Sequence, residues 1–254
     1  MKLIVHPAFS GEEKALVNVL ENFDTKGELL AKGSRNTIKV FPDFPIVLNV
    51  KAFKTPNAVN RIVYRYLRDS KAKRSYEYAL RLLGKGIGTP NPVAYAEYEK
   101  GIGLGKSFYV CEHIYADYTY RDLVEREDLP GKEEMLRAFT RFCFELHEAG
   151  VEFKDHSPGN TLIKVKDRDL SFYLVDLNRM NFHNKMSFDL RMFNLRRLTP
   201  KREMIEVMAN EYARYYHEKT EQEIFEKMWN ETCRFQEKFH RKQRLKKKLK
   251  FWKK

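Results

Sequence analysis

One segment constrains this 254-residue chain more than any other: VEFKDHSPGN at residues 151–160, followed by two short apolar runs and an aspartate. Asp155 and Asn160 are separated by four residues, and Asp176 ends the second apolar run. Phosphoryl transfer from ATP uses such a set, because one carboxylate takes the proton of the attacking hydroxyl while an amide and a second carboxylate hold Mg²⁺. The pattern makes Asp155 a candidate catalytic base and makes Asn160 and Asp176 candidate metal ligands.

An aspartate and an asparagine four residues apart are also common in ordinary loops, where both side chains cap turns. The surrounding sequence favours the chemical interpretation. Residues 161–165 and 171–175 have the composition of strands, and a turn-like stretch at 166–169 joins them. This pattern predicts a hairpin with Asn160 before its first strand and Asp176 after its second. We expect the two metal-ligand candidates to lie at the same end of that hairpin.

A kinase also needs a lysine on the nucleotide phosphates and a carboxylate that holds this lysine. The apolar run PIVLNVKAF at residues 45–53 predicts a strand with Lys51 late in it, much like the lysine strand of kinases. A slip of register would select Lys54 instead. Lys51 follows the apolar run better, so we take it as the candidate phosphate ligand.

Residues 71–83 predict an amphipathic helix, because apolar side chains recur there at helical spacing. We expect one face of this helix to carry Tyr76, Ala79, Leu80 and Leu83. Glu77 is its only acidic residue. It either makes ordinary ion pairs in solvent or holds Lys51. The order lysine, glutamate, aspartate, asparagine, aspartate along the chain favours the second role.

Two glycine-containing stretches could cover nucleotide phosphates. GIGLG at residues 101–105 lies between two strand-like runs and after the lysine strand, which favours a hairpin turn. AKGSRN at residues 31–36 precedes the lysine strand, as a nucleotide-covering loop should. It offers Gly33 and Arg35 as candidate phosphate contacts, and an ordinary hairpin turn explains the same residues equally well.

The chain resembles the lipopolysaccharide core kinase family, sugar kinases that phosphorylate Kdo or heptose residues of the lipid A inner core. The resemblance spans about residues 28–200. It is strongest at KDHSPGNTL (154–162) and VDLNR (175–179), and NLRRL (194–198) is similar to a segment that follows the metal loop in Kdo kinases. Residues 70–79, with the Thr-Pro pair at 89–90, resemble Bacteroidetes-type members of that group.

This resemblance implies an α+β, two-lobed protein-kinase-like fold in one domain over residues 1–238. A small antiparallel-sheet N-lobe would cover about residues 1–113, and a mainly helical C-lobe would cover about residues 114–238. It also implies an ATP- and Mg²⁺-dependent kinase that phosphorylates a hydroxyl of an inner-core sugar, Kdo on lipid A. Lys51 would neutralise the nucleotide phosphates, and Glu77 would hold Lys51.

Two departures from protein kinases point away from protein substrates. The chain has FKD at residues 153–155 where protein kinases have His-Arg-Asp, and DLN at residues 176–178 where they have Asp-Phe-Gly. The missing arginine removes the usual basic partner of a phosphorylated activation loop. Two alternatives to the lipopolysaccharide kinase stay open: a kinase for a soluble, aminoglycoside-like small molecule, and a nonenzymatic binding protein on a kinase scaffold.

Residues 200–238 predict helical structure after Thr199 and Pro200. A stripe of apolar and aromatic side chains recurs there at helical spacing: Ile205, Met208, Ala209, Tyr212, Tyr215 and Tyr216. Such a stripe usually forms core, here of the second lobe, although it could also line an acceptor groove. We favour the core interpretation.

The C-terminal segment 239–254 dominates the charge of the chain. It holds nine Lys or Arg and no acid, and removing those nine cations from the net charge of +13 leaves +4. Basic residues interleaved with bulky apolar ones suit the anionic inner leaflet of a membrane, whereas a solvated tail is the simpler alternative. Nucleic-acid binding could use the same charge. No base-stacking module or helix-turn-helix pattern accompanies it, so we expect no nucleic-acid partner.

Neither a membrane-spanning segment nor a secretory signal is apparent in the sequence. No apolar run approaches the length that crosses a bilayer, and the first residues lack the apolar region of a signal peptide. The three cysteines stand singly, which argues against a disulfide framework or a zinc site. We therefore expect a cytoplasmic protein that is peripherally associated with the inner membrane, with a lipid A-linked sugar as its acceptor.

Overall fold

The computed structural model describes residues 1–34, 36–55, 57, 68–101, 103–167 and 169–251. The chain divides into two compact units. Unit 1 comprises Met1–Tyr115 and Leu174–Arg179, and unit 2 comprises Ala116–Tyr173 and Met180–Lys254. Strands dominate unit 1 and helices dominate unit 2, which confirms the expected α+β class.

Unit 1 is built on a six-stranded sheet with the strand order β1-β5-β6-β4-β3-β2. Its strands are β1 (Lys2–Val5), β2 (Glu28–Lys32), β3 (Asn36–Phe41), β4 (Leu48–Phe53), β5 (Pro92–Lys100) and β6 (Gly103–Glu112). Every neighbouring pair is antiparallel. β5 and β6 form the hairpin predicted around residues 101–105. β4 has a partner on each side, so its backbone position is fixed along its whole length.

The core of unit 1 lies between this sheet and helix α1 (Glu13–Glu21). Leu16 and Leu20 come from consecutive turns of α1 and are almost fully buried, as are Val50 of β4 and Phe108 of β6. Burying a large apolar side chain contributes about 1.5–3 kcal/mol. This packing supports the strand that carries Lys51.

Helix α2 (Lys71–Leu83) has the predicted bounds. The Ser70 hydroxyl caps it by accepting a hydrogen bond from the backbone N–H of Lys73 at 3.0 Å. Tyr76 and Ala79 are buried as expected, but Leu82 completes the buried face, whereas the predicted members Leu80 and Leu83 are partly exposed. Around the helix axis Leu82 lies about 60° to one side of Ala79, whereas Leu83 and Leu80 lie about 40° and about 100° to the other side, so the buried face is turned toward Leu82.

Unit 2 contains five helices and two small sheets within the described residues. Its helices are α3 (Tyr120–Glu125), α4 (Lys132–Glu148), α5 (Phe188–Leu195), α6 (Arg202–Ala213) and α7 (Glu221–Phe251), and its strands are β7 (Tyr118–Thr119), β8 (Val151–Phe153), β9 (Thr161–Lys166), β10 (Asp169–Leu174) and β11 (Met180–Phe182). The sheets have the orders β10-β9-β7 and β11-β8. The adjacent β9 and β10 confirm the hairpin predicted from residues 161–175.

Gly150 makes the reversal from α4 into β8 possible. Its φ of +72° lies in the left-handed region, and a Cβ at this position would come within 1.9 Å of the His183 carbonyl oxygen. The two residues also form a backbone hydrogen bond, in which the His183 N–H donates to the Gly150 carbonyl oxygen at 2.8 Å. Only glycine combines this backbone conformation with this approach. The reversal sets the start of the strand that leads to Asp155.

The predicted helical region 200–238 contains two helices, because residues 214–220 form a turn between α6 and α7. Ile205, Met208 and Tyr212 are almost fully buried, which confirms the core interpretation of the aromatic stripe. Helix α7 continues through residue 251 and so includes most of the basic segment. Among the described residues, no helix is long and apolar enough to cross a membrane.

Candidate active site

Lys51 lies inside β4, where Ile38 and Tyr109 flank it on the neighbouring strands. It is only 8% exposed, and its Nζ donates a hydrogen bond to Oδ1 of Asp176 at 2.6 Å. Lys54, the alternative lysine, follows the end of β4 and is exposed. Lys51 is therefore the lysine that the fold brings to a carboxylate of unit 1.

Asp176 lies two residues beyond β10, in an unusual backbone conformation. Its φ is +61°, in the left-handed region that residues other than glycine adopt rarely. Oδ1 accepts hydrogen bonds from Lys51 and from the Asn178 side-chain amide, both at 2.6 Å, and the side chain stays 36% exposed. Such backbone outliers are concentrated at functional positions. The conformation aims a partly exposed carboxylate at a buried cation.

The segment after β10 is attached to α2 through Arg74. The guanidinium Nη1 of Arg74 donates to the Asn178 carbonyl oxygen at 2.7 Å, and the side chain is buried. Its Nε donates to the Asp69 carbonyl oxygen at 3.2 Å. Arg74 thus connects the backbone at Asn178, two residues after Asp176, to the N-terminal end of α2. No local sequence pattern indicates this role of Arg74, since a buried arginine on a basic helix face has no signature of its own.

Glu77 does not hold Lys51 in this structure, which corrects the expected pairing. It lies on α2 one turn after Lys73 and pairs with that residue at 3.6 Å, with its side chain 43% exposed. Lys73 is closer to Asp69, at 2.6 Å, and this hydrogen bond raises the pKa of Lys73. Within the described residues, Asp176 is the ion-pair partner of Lys51. The i,i+4 geometry of a helix brings Glu77 and Lys73 together.

The candidate phosphate-covering loop is the turn between β2 and β3. The Gly33 N–H donates to the Asn36 carbonyl oxygen at 2.9 Å, which closes a hairpin turn. Arg35 lies outside the described residues. Phosphate contacts from Gly33 and Arg35 therefore stay predictions.

Asp155 lies in the loop that follows β8 in unit 2. The Arg197 Nη1 donates to the Asp155 Oδ1 at 3.2 Å and to the Lys154 carbonyl oxygen at 3.0 Å. The Asp155 side chain is 20% exposed. Arg197 follows α5, at a long sequence distance from the loop. Sequence comparison marked the segment 194–198, but no spacing rule indicated that Arg197 would reach Asp155.

Asn160 ends a short 3₁₀ turn, Pro158–Asn160, directly before β9. Its side-chain amide donates to the Asp155 carbonyl oxygen at 2.8 Å, which folds the loop back on itself. This bond leaves the Asn160 Oδ1 without a hydrogen-bond partner among the described residues. An amide oxygen is a suitable ligand for Mg²⁺.

Gly159 lets a second arginine approach the same loop. A Cβ at Gly159 would lie 3.0 Å from Nη2 of Arg121, which belongs to α3. Any larger residue would push that guanidinium away. Together with Arg197, Arg121 gives the loop a cationic side chain near each end.

A buried hydrogen-bond network fixes the strand before Asp155. The Asn194 amide donates to the Phe153 carbonyl oxygen at 2.8 Å, and the Asn194 Oδ1 lies 3.3 Å from the His147 Nε2. The His147 Nδ1 lies 2.9 Å from the Tyr212 hydroxyl. Because the Asn194 oxygen can only accept, His147 donates from Nε2 and accepts at Nδ1 from Tyr212. Burial lowers the pKa of His147 to about 3, so this histidine is neutral and the network is complete.

His156, directly after Asp155, is fully buried between Phe139 and Phe153. Neither of its ring nitrogens has a hydrogen-bond partner within the described part of the chain. Burial lowers the pKa of His156 to about 4. This residue supports the loop as an uncharged ring and is not available as an acid or base.

The candidate metal ligands offer oxygen atoms, as Mg²⁺ requires. Asp176 supplies a partly exposed carboxylate and Asn160 supplies an amide oxygen. No group of three or more His, Cys, Asp or Glu side chains suited to a metal occurs in the part of the chain that the structure describes. Metal binding by Asn160 and Asp176 stays a prediction.

Comparison with known proteins gives one family and a fold. The model of the lipopolysaccharide kinase (Kdo/WaaP) family matches residues 54–218. The solved structure of "WaaP in complex with acyl carrier protein" matches with a TM-score of 0.63 and 18% identity, over 95% of this chain and 99% of that chain. The MAP kinase LmaMPK10 from Leishmania major matches with a TM-score of 0.45 and 17% identity, over 86% and 64%. A search of curated proteins found no match.

Proposed function

Because the chain belongs to the lipopolysaccharide kinase (Kdo/WaaP) family, we propose that it transfers the γ-phosphoryl group of ATP to a hydroxyl of Kdo on lipid A. The fold is protein-kinase-like and the enzyme is a phosphotransferase. The matched residues 54–218 include Asp155, Asn160 and Asp176, and begin shortly after Lys51. The observation that carries the proposal is the Asp155 loop, where a partly exposed carboxylate is held on a buried network.

In this reaction Asp155 orients the sugar hydroxyl and accepts its proton. The hydroxyl oxygen forms a bond to the γ-phosphorus, the bond from this phosphorus to the bridging oxygen breaks, and ADP leaves with that electron pair. Lys51 neutralises phosphate charge from inside β4. Its Asp176 partner would be shared with the metal when nucleotide binds.

Asn160 and Asp176 would hold Mg²⁺, in keeping with the oxygen donors that they present. When bound, the metal neutralises charge on the phosphate oxygens. Asn178 supports Asp176 by donating to its Oδ1 at 2.6 Å. Arg74, in turn, holds the Asn178 backbone.

The decisive experiment is transfer of labelled γ-phosphate from ATP to purified Kdo-lipid A in detergent. Asp155→Ala should lower kcat by about 10²–10⁴-fold, the usual contribution of a general base. Asp128→Ala is the matched control, since Asp128 also belongs to unit 2 and is 83% exposed. Transfer by Asp155→Ala at the parental rate would remove Asp155 from the mechanism. Transfer to an aminoglycoside but not to Kdo-lipid A would redirect the proposal to a small-molecule kinase.

We also propose that residues 239–254 bring the enzyme to the anionic inner leaflet. This segment includes the end of α7, and Phe239 and Leu245 are exposed on it. Each basic residue near such a surface contributes about 1 kcal/mol. A cytoplasmic enzyme held in this way would meet a membrane-embedded acceptor at high local concentration.

Charge substitutions within this segment test the membrane role. Lys242, Lys246 and Lys247 changed together to Gln should weaken binding to vesicles that contain anionic lipid, and should slow transfer to Kdo-lipid A in those vesicles by about 10-fold or more. The same residues changed to Arg keep the charge and serve as the control. If the Gln and Arg variants transferred phosphate on vesicles at equal rates, the segment would be a solvated tail with no role at the membrane. Activity on detergent-solubilised acceptor should stay unchanged in each.

A further inference from the structure

A cavity of about 570 Å³ lies within unit 2. Its wall comes from the end of α4, the segment after β11, the middle of α5 and the turn between α6 and α7. Asp155, Asn160 and Arg197 do not line it, so it is separate from the residues assigned to the reaction. Cavities of about 300–1,000 Å³ are typical of small-molecule sites. This one is therefore large enough for a ligand of the size of a metabolite.

One residue of the wall, Arg191, is a buried cation that the fold holds in place. It is only 2% exposed. Its Nε donates to the Met186 carbonyl oxygen at 3.0 Å, and its Nη1 donates to the Tyr212 hydroxyl at 3.4 Å. The Cζ lies 4.9 Å from the ring centroid of Tyr216, within the range of a cation–π contact. Among the described residues, Nη2 has no hydrogen bond or ion pair. A guanidinium that is oriented before a ligand arrives loses less entropy on binding.

The carboxylate that pairs with Arg191 is, by contrast, largely in solvent. Oε1 of Glu148 lies 2.6 Å from Nη1 of Arg191, and the Glu148 side chain is 52% exposed. Glu148 can rotate into water, whereas the buried guanidinium cannot. A buried charge without a partner carries a large free-energy penalty. Any group that takes the place of Glu148 must therefore be an anion.

The rest of the wall indicates what else such a ligand carries. Lys185 and Glu218 form an exposed ion pair at 3.3 Å, with side chains 74% and 60% exposed. Exposed pairs of this kind contribute little to stability, so Lys185 can turn to a bound anion instead. Phe144 and Tyr215 supply apolar surface, with ring centroids 5.5 Å apart. The matching ligand has an anionic group and an apolar body about the size of a ring.

We propose that this cavity binds an organic anion, whose carboxylate or phosphate group replaces Glu148 on Arg191 while its apolar body packs against Phe144 and Tyr215. The fork of a guanidinium fits both oxyanions. The cavity is then a second ligand site in unit 2, separate from the catalytic loop. The inference goes beyond the proposed function and does not depend on it.

The proposed site lies at one end of the buried network that supports the catalytic loop. The Tyr212 hydroxyl contacts both Arg191 and His147. From His147 the hydrogen bonds continue through Asn194 to the Phe153 carbonyl oxygen. A ligand that binds Arg191 therefore stabilises the folded form of unit 2, because it binds the native protein and not the unfolded chain.

Phenyl phosphate is the probe, because it combines an oxyanion with a ring. Isothermal titration calorimetry of the full chain should give a Kd of about 1 mM or below. Inorganic phosphate lacks the ring and phenol lacks the anion, so each should bind at least about 10-fold more weakly. The midpoint of thermal unfolding should rise with the concentration of phenyl phosphate. Lys51→Met should bind the probe as the parental protein does, which separates this site from the candidate nucleotide site.

Glu148→Gln tests the displacement directly. It removes the competing carboxylate and should tighten binding of phenyl phosphate by about 10-fold, the range of a charge-assisted hydrogen bond. Glu145→Gln is the matched control, because Glu145 is an exposed acid three residues earlier on α4 and does not line the cavity. It should keep the parental Kd. Arg191→Met should weaken binding by about 10–100-fold.

Four results would overturn the inference: no binding of phenyl phosphate, phenol binding as tightly as phenyl phosphate, an unchanged Kd in Glu148→Gln, or loss of binding in Lys51→Met. The last would place the probe at the lysine of unit 1. If Arg191→Met does not fold, the Glu148→Gln variant and the phenol comparison decide, since neither removes the buried cation.

Discussion

The two aspartates of the candidate site are both paired with a cation, yet their support differs. In unit 1, Asp176 is held by the side chains of Lys51 and Asn178, and it adopts a left-handed backbone conformation while it is 36% exposed. In unit 2, Asp155 follows a strand whose backbone is pinned by the fully enclosed Asn194–His147 network. The carboxylate of unit 1 is positioned by its ion pair, whereas that of unit 2 is positioned by the core.

This difference determines which contacts of the two aspartates a bound ligand can replace. A bound metal would compete with Lys51 and Asn178 for the Asp176 carboxylate. A bound phosphate would compete with Asp176 for the Lys51 ammonium. The network behind Asp155 is built from the buried Asn194, His147 and Tyr212, so a ligand cannot reach it directly. We expect substitutions behind Asp155 to reduce folding stability together with activity. Substitutions around Asp176 should reduce activity with little loss of stability.

The largest expected effect comes from acid. The pKa of His147 is lowered to about 3 and that of His156 to about 4, both chiefly by burial. An unfolded histidine titrates near pH 6.5, so below that pH the unfolded chain binds protons that the folded chain refuses. Stability is then lost as the pH falls from about 6.5 toward 4. Between pH 7 and pH 5 the two residues together should cost about 4 kcal/mol of unfolding free energy.

Urea unfolding of the protein at pH 7 and pH 5 measures this loss. His156→Phe should remove about half of the pH dependence, because the ring position between Phe139 and Phe153 accepts another aromatic side chain. His217→Gln is the control, since His217 is exposed, and it should leave the dependence unchanged. A protein equally stable at both pH values would contradict the account of unit 2 as a neutral buried network.

The next effect compares the same substitution in the two units. Asn194→Ala leaves the Phe153 carbonyl oxygen and the His147 ring without their buried partner, and should cost about 2–4 kcal/mol of stability. Asn178→Ala removes one hydrogen bond to a carboxylate that water can reach, and should cost less than about 1 kcal/mol. Thermal and urea unfolding give both values. If the two variants lose equal stability, the contrast between the units is wrong.

Sequence patterns were sufficient for the elements but not for their side-chain partners. The hairpin of β9 and β10, the lysine strand β4 and the bounds of α2 follow from local alternation and helical spacing. The sequence does not determine which side of α2 is buried, because Leu80 and Leu83 are as apolar as the buried Leu82. Tertiary packing determines which of these leucines is buried, and helical periodicity alone does not predict it.

The candidate site shows the same limit. Asp155, Asn160 and Asp176 were found because their chemistry requires a short, ordered spacing. Arg197 and Arg74 were not assigned roles, because each reaches its partner across a long sequence separation of 42 and 104 residues. Glu77 was assigned to Lys51 from its order along the chain. Order along a chain does not determine which cation a carboxylate contacts, and here Lys73, one helical turn away, is the partner of Glu77.

The smallest expected effect concerns Glu77, and it tests whether the Lys51–Asp176 pair persists during the reaction. Because Glu77 is 43% exposed and pairs with Lys73 at 3.6 Å, Glu77→Gln should change stability by less than about 0.5 kcal/mol. It should lower kcat/KM for ATP by less than about 3-fold, whereas Lys51→Met should lower it by at least about 100-fold. Asp69→Asn, which removes the other carboxylate of Lys73, is the control. A loss with Glu77→Gln as large as that with Lys51→Met would mean that Lys51 exchanges Asp176 for Glu77 when nucleotide binds. In that case the Lys51–Asp176 ion pair would exist only without nucleotide, whereas the Asp155 loop would keep its support from the core of unit 2.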